Sequence, residues 1–137
     1  MEITSKPHQE DIELIRRSVR QHNRQYMPND FCDLAVFERD SDGNVIGGLT
    51  AVTYWGRLEI GYLWVSSQHR GNGLARALLE AAENEACRRG CISSQLDTFD
   101  FQALDFYLKQ GYEVFGELEG FQNNHRRYYL TKELSST

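Results

Sequence analysis

The residues best suited to chemistry lie in one run, Ser-Gln-His-Arg-Gly-Asn-Gly-Leu-Ala, over residues 67–75. A β-rich segment precedes this run and a helical pattern follows it. A turn of that kind directs several backbone N–H groups and the positive end of a helix dipole toward one point. Gly71 and Gly73 allow the close backbone approach that an anion needs, and Arg70 adds a positive charge. The run predicts a phosphate or pyrophosphate site, although a turn that needs only flexible residues also explains two glycines.

The order of the residues excludes two other phosphate-binding loops. A P-loop has the pattern G-x-x-x-x-G-K-[ST], which this chain lacks. A dinucleotide fingerprint needs a third small residue five positions after the first glycine, and Arg76 occupies that position. We therefore expect neither of those nucleotide sites.

Two motifs resemble those of the GNAT superfamily of N-acetyltransferases. Residues 68–73 match its coenzyme A motif, Q/R-x-x-G-x-G/A, between a strand and a helix. Farther along, Ala103, Tyr107 and Gly111-Tyr112 match the family pattern N-x-x-A-x-x-x-Y-x-x-x-G-[FY]. Asp100 departs from that pattern, because it stands where the family has Asn. The resemblance covers residues 45–114.

The resemblance implies that acetyl-CoA is the cosubstrate. No metal site is expected, because Cys87 and Cys91 have no further His or Cys at zinc spacing. In the family, the pantetheine arm inserts where the fourth strand splays from the next, which places it here on the main chain of Leu63 and Val65. Gly61 is either the bulge that starts this splay or an ordinary strand glycine. Asp100 takes the position of the Asn that contacts the arm. The resemblance also implies that the pyrophosphate is bound by the backbone amides of the loop: Gln68, His69, Arg70, Gly71, Asn72, Gly73, Leu74 and Ala75.

Acetyl transfer to an amine needs a base, an oxyanion donor and an acid for the leaving thiolate. Tyr107 stands where the family places its general acid, and a phenol with a pKa near 10 keeps its proton at neutral pH. The alternative is a tyrosine packed in the core. Glu59 is the candidate base, acting through a water, unless it faces solvent on an alternating strand. The resemblance makes the backbone amide of Val65 the oxyanion donor.

The surrounding pattern predicts the elements that would position these residues. Alternating apolar residues indicate strands, and Leu74, Ala77, Leu78 and Ala82 lie on one face of a helix. The result is one α+β domain over residues 1–137, with about three helices and, from the resemblance, a mixed, mostly antiparallel sheet of six to seven strands. The strands are expected at residues 1–4, 34–38, 45–54, 58–65, 92–98, 112–117 and 127–134, and the helices follow Pro7, Gly73 and Phe99.

Composition narrows the class of protein. A chain of 137 residues with 40% apolar and 26% charged residues is typical of one folded domain, and no window is apolar enough for a membrane span. The net charge of −5 argues against a nucleic-acid surface. Three cysteines, an odd number, favour reduced thiols and a cytoplasmic location over a disulfide framework.

The sequence leaves the acceptor amine open and favours a small molecule over a protein, because the chain is compact. The alternative within the fold is an acyl-CoA-binding sensor that performs no transfer. A homodimer is compatible with the sequence.

Overall fold

The computed structural model describes residues 1–135, and its backbone contacts divide the chain into two units. The first unit, Met1–Asp30, holds helix α1 (Gln9–Asn23). Acidic Glu10 and Asp11 lie in the first turn of α1, where they complement the helix dipole. The second unit begins at Phe31 and contains every strand described below. That residues 1–137 form one domain stays a prediction.

The predicted strand over residues 1–4 is wrong. These residues have no strand pairing, and the side chains of Met1 and Ile3 are fully exposed. A short alternating pattern is held as a strand only when a neighbouring strand accepts its hydrogen bonds. The sheet instead begins at Cys32.

The second unit is a six-stranded sheet with the order β1-β2-β3-β4-β6-β5. Only β3 and β4 pair in parallel, so the expected mixed, mostly antiparallel sheet is confirmed. Together with α1, the chain up to residue 135 has three α-helices, none of them long and apolar enough to cross a membrane. The elements are β1 (Cys32–Arg39), β2 (Val45–Tyr54), β3 (Arg57–Val65), α2 (Leu74–Arg88), β4 (Ser93–Phe99), α3 (Leu104–Lys109), β5 (Glu113–Leu118) and β6 (Arg127–Glu133).

Helix α2 covers the half of the sheet formed by β1, β2 and β3. Its apolar face buries Leu78, Leu79 and Ala82, as the helical spacing predicts. Gly47 on β2 permits this approach, because a Cβ there would lie 3.1 Å from Leu74 Cδ2. The core is continued by buried leucines on the strands: Leu34, Leu49, Leu58, Leu96 and Leu130.

Helix α3 begins at Leu104, four residues later than predicted. Residues 100–103 form a turn instead, and the side chains of Asp100 and Gln102 hold that turn through contacts to the neighbouring backbone. The carboxylate of Asp100 accepts from the backbone N–H of Arg126 at 3.0 Å, and Gln102 Oε1 accepts from the backbone N–H of Phe99 at 2.8 Å.

Candidate active site

The sheet opens between β3 and β4. The two strands pair over Arg57–Glu59 and Ser93–Gln95, after which β3 continues beside β2 alone. Between Thr50 and Ala51 the β2–β3 register shifts, and Gly61 is the extra residue on β3. Of the two interpretations of Gly61, the bulge at the start of the splay is therefore the one observed.

Beyond the bulge, one edge of β3 presents main-chain groups to the opening. The Ser66 N–H donates to the Ile46 carbonyl at 2.8 Å, so Ser66 directs its main chain toward β2. Since neighbouring residues of a strand direct their N–H and C=O groups to opposite sides, Val65 and Leu63 direct theirs into the opening. An extended ligand could pair as an additional strand with the main chain of Leu63 and with the N–H of Val65, whose carbonyl accepts a hydrogen bond from Arg70.

The glycine loop lies at the far end of this opening. Gly71 has φ +82° and Gly73 has φ +80°, and Gly73 is the N-cap of α2. Both angles lie in the left-handed region that favours glycine. The first N–H groups of α2, like those of any helix, have no partner within the helix and can bind an anion. Arg70 is held beside them, because its Nε donates to the Val65 carbonyl at 3.0 Å.

A cleft of about 550 Å³, here called the cosubstrate cleft, follows the opened edge of β3. Leu63 and Val65 form one wall, and Thr98, Gln102 and Ala103 belong to the opposite wall. Of the loop residues, Arg70 and Ala75 line the cleft. The other loop candidates, which lie in the turn and at the start of α2, do not: Gln68, His69, Gly71, Asn72, Gly73 and Leu74.

Tyr107 lies in the wall of the cosubstrate cleft, with 8% of its surface exposed. Its pKa is raised above the ordinary value, first by burial and second by the negative charge of Asp97. The side chain therefore stays protonated at neutral pH. Among residues 1–135, none forms a hydrogen bond to its hydroxyl in the structure, which leaves that group for a ligand.

A buried polar cluster supports Tyr107 from behind. The ring of Tyr112 packs against that of Tyr107, with centroids 5.9 Å apart. The Tyr112 hydroxyl lies 2.8 Å from Glu83 Oε2 and 2.8 Å from Ser94 Oγ, and Lys132 Nζ binds Glu83 Oε1 at 2.8 Å. These contacts join α2, β4 and β6 and fix the end of α3, since the Tyr112 N–H donates to the Tyr107 carbonyl.

A second cleft of about 740 Å³, here called the acceptor cleft, lies on the other side of the splay. Its wall includes Glu59 and several aromatic rings: Tyr62, Phe99, Phe115 and Tyr129. The two clefts share part of their lining, so they meet at the bulge. The shared residues are Gly61, Tyr62, Asp97 and Gln102.

Glu59 is held in the acceptor cleft by neutral donors. Tyr54 donates its hydroxyl to Oε2 at 3.2 Å, and Gln95 donates its side-chain N–H to Oε1 at 3.3 Å. Each carboxylate oxygen can still accept a further hydrogen bond, such as one from water. The pKa of Tyr54 is raised by burial and by the adjacent charge of Glu59, so Tyr54 remains a donor.

The other carboxylate of the acceptor cleft, Asp97, forms an ion pair with Arg127. Arg127 Nη2 and Nε lie 2.7 and 3.0 Å from Asp97 Oδ1. The guanidinium also lies 5.4 Å from the ring centres of both Phe99 and Tyr129. Of the two carboxylates, Glu59 is the one without an arginine partner in the hydrogen bonds described.

Asp100, the predicted contact to the arm, lies outside both cleft walls. His125 Nδ1 lies 2.8 Å from its Oδ1, and the Arg126 N–H binds its Oδ2. Burial acts to raise the pKa of Asp100, but the hydrogen bonds from Arg126 and His125 outweigh it, and the pKa is lowered. The carboxylate holds the segment before β6 in place.

Sequence reasoning missed Tyr54, Gln95 and Gln102. Gln95 faces Glu59 across the parallel pairing of β3 and β4, which no local pattern reveals. Tyr54 lies five residues before Glu59 on the other side of a tight turn, so the hairpin was a signal that could have found it.

A strand edge that opens beside a glycine loop, with a protonated tyrosine in the cleft between them, is the arrangement of an enzyme that uses a coenzyme A thioester. The comparisons with known proteins agree. Residues 3–112 match the acetyltransferase (GNAT) family, and this chain belongs to that family. It is an acetyltransferase whose acetyl donor is acetyl-CoA.

Two relatives and one solved structure illustrate the similarity. The chain is 38% identical over 101 residues to a blasticidin-S acetyltransferase of Streptomyces morookaense, covering 73% of this chain and 74% of that protein. It is 30% identical over 110 residues to a streptothricin acetyltransferase of Escherichia coli, covering 77% and 63%. A crystal structure of a proposed acetyltransferase from Agrobacterium tumefaciens superposes with a TM-score of 0.90 at 30% identity, covering 97% and 98%.

Proposed function

We propose that this enzyme acetylates an amino group of a small organic molecule bound in the acceptor cleft. The observation that carries the proposal is the junction of the two clefts, which has Glu59 on the acceptor side and Tyr107 on the cosubstrate side. A volume of about 740 Å³ suits a small molecule. The relatives named after blasticidin S and streptothricin, both small molecules, support the same class of acceptor.

Glu59 is the proposed base. An amine is mostly protonated at neutral pH and must lose a proton before it attacks a thioester. Glu59 accepts that proton through a water, while Tyr54 and Gln95 hold its carboxylate in the cleft. Its unpaired charge also favours a cationic amine over a neutral alcohol.

Tyr107 is the proposed acid. As the C–N bond forms, negative charge develops on the carbonyl oxygen, and the main-chain N–H of Val65 faces the same opening. When the C–S bond breaks, Tyr107 donates its proton to the departing sulfur and yields the free thiol. The pyrophosphate lies on the loop of residues 68–75, in contact with the amides at the start of α2. Asp100 does not contact the ligand in this proposal. Its carboxylate only fixes the segment at His125 and Arg126.

The test is a panel of small amines, including amino acids, polyamines and aminated antibiotics, assayed with acetyl-CoA by release of free thiol. Calorimetric titration with coenzyme A accompanies it. We expect binding and amine-dependent thiol release. Binding without thiol release from any amine would overturn the transfer to a small amine and favour a sensor, whereas preferential acetylation of peptides would overturn the class of acceptor. The homodimer and the cytoplasmic location also remain proposals, and light scattering tests the first.

A further inference from the structure

Gln102 lies where the two clefts meet, and its side chain is anchored there. Its Oε1 accepts from the backbone N–H of Phe99 at 2.8 Å and from the hydroxyl of Thr98 at 3.3 Å. Its own backbone N–H donates to the Phe99 carbonyl at 3.0 Å. The side chain is therefore fixed by its oxygen.

These contacts determine which end of the carboxamide is available. A backbone N–H can only donate, so the atom that faces Phe99 N must be the oxygen. The other terminal atom of the carboxamide, Nε2, therefore carries the two N–H donors. In the chain up to residue 135, no acceptor is hydrogen-bonded to this nitrogen, and the residue lines both clefts.

The cosubstrate cleft needs a donor on this wall. The pantetheine arm carries amide groups, and an extended chain of amides presents carbonyl oxygens to both sides. The β3 edge at Leu63 and Val65 can serve one side. On the opposite wall, the Thr98 hydroxyl is engaged with Gln102, and the carboxylate of Asp100 is engaged with His125 and Arg126.

We propose that Gln102 Nε2 donates a hydrogen bond to an amide carbonyl of the pantetheine arm of acetyl-CoA. The contact fixes the arm at the point where the thioester meets the acceptor cleft, and it supplies the side-chain donor that Asp100 does not. The inference rests on the proposed placement of acetyl-CoA in the cosubstrate cleft, and it does not depend on the identity of the acceptor.

The test measures binding by calorimetry with two probes, coenzyme A and 3′-phospho-ADP, which keeps the phosphates and lacks the arm. Gln102→Glu retains the oxygen for Phe99 and removes the donor, and Gln102→Met removes it without adding charge. We expect both variants to bind coenzyme A about tenfold more weakly, the effect of losing one hydrogen bond, and to bind 3′-phospho-ADP as the wild type does. Gln122→Glu, the same change in a surface turn outside both clefts, should leave both affinities unchanged.

Wild-type affinity for coenzyme A in both Gln102 variants would overturn the inference. An equal loss for the two probes would do so as well, because it would place the effect on the phosphates or on the fold. With an active acceptor in hand, the KM for acetyl-CoA should rise while the KM for the acceptor stays constant. If the wild type binds coenzyme A but acetylates no amine, the proposed function fails while the calorimetric test of Gln102 still stands.

Discussion

The cosubstrate cleft and the acceptor cleft meet at one bulge, yet they are built from different parts of the chain. The proposed coenzyme site depends largely on backbone: the edge of β3 inside the cosubstrate cleft and, beyond its lining, the left-handed glycines before α2. The acceptor cleft depends on side chains, which come from β2, β3, β4, β5 and β6. A main-chain contact binds the same ligand group whatever the side chains are, whereas a contact made by a side chain changes with each substitution.

This difference explains which ligand groups each cleft can recognise. Main-chain amides and a helix N-terminus recognise the phosphates and amides that every acyl-CoA carries. Aromatic rings, Glu59 and the Asp97–Arg127 pair instead determine the shape and charge of the acceptor cleft. We infer that acceptor specificity can change in this fold without loss of the cosubstrate cleft, and substitutions on the two sides should separate coenzyme affinity from turnover.

The largest effect is expected from Tyr107→Phe, which removes the proposed acid near the point where the two clefts meet. Loss of the acid should lower kcat about a thousandfold, because the thiolate then leaves without a proton. The affinity for coenzyme A should stay within a factor of about two, since the ring and its packing on Tyr112 remain. Thiol release at saturating substrates and calorimetry measure the two quantities.

The pH profile provides the control. Because burial and the charge of Asp97 raise the pKa of Tyr107 above its ordinary value, the acid form persists at neutral pH, and activity that depends on it should fall only as the pH rises through this raised pKa. A tyrosine-dependent loss between pH 8 and about 9.5 would contradict the assignment, as would an unchanged kcat in Tyr107→Phe.

The next largest effect is expected from Glu59→Gln, on the acceptor side. The amide keeps the size of the side chain but cannot take a proton, so kcat/KM for the amine should fall about a hundredfold. Coenzyme A should bind as before. Glu133→Gln, an exposed site on β6 outside both clefts, is the matched control. Full activity of Glu59→Gln would remove Glu59 from the role of base.

The sequence predicted the local backbone geometry of the glycine loop better than the side-chain contacts of the acceptor cleft, for a physical reason. Gly71 and Gly73 are needed by local backbone geometry, and local geometry is visible in a short run of residues. The contact of Gln95 with Glu59 joins positions 36 residues apart, through a parallel pairing that only the folded sheet defines. The late start of α3 was missed because Asp100 binds a distant segment at Arg126.

A smaller effect is expected from Gly73→Ala, on the backbone side. At φ +80°, a side chain imposes strain of about 1–3 kcal/mol, and relief of this strain would move the amides at the start of α2. The affinity for coenzyme A should fall about tenfold, while the KM for the amine stays constant. Gly43→Ala is the matched control, because Gly43 has a similar φ of +86° but lies in the β1–β2 turn, outside the loop of residues 68–75. Equal losses of coenzyme affinity in both variants would point to general destabilisation instead.

The smallest effect is expected from Tyr54→Phe, which removes one of the two neutral donors on Glu59. The carboxylate keeps its bond to Gln95, so kcat/KM for the amine should fall only about threefold, as for one weak hydrogen bond at 3.2 Å. The ring remains stacked on Phe31, with centroids 4.7 Å apart, so the thermal midpoint should change little. In the Glu59→Gln background the same change should have no further effect on kcat/KM, because Tyr54 acts through the carboxylate. If the two losses add in the double variant, Tyr54 contacts the acceptor itself. The acceptor cleft would then extend along β2 as far as Tyr54.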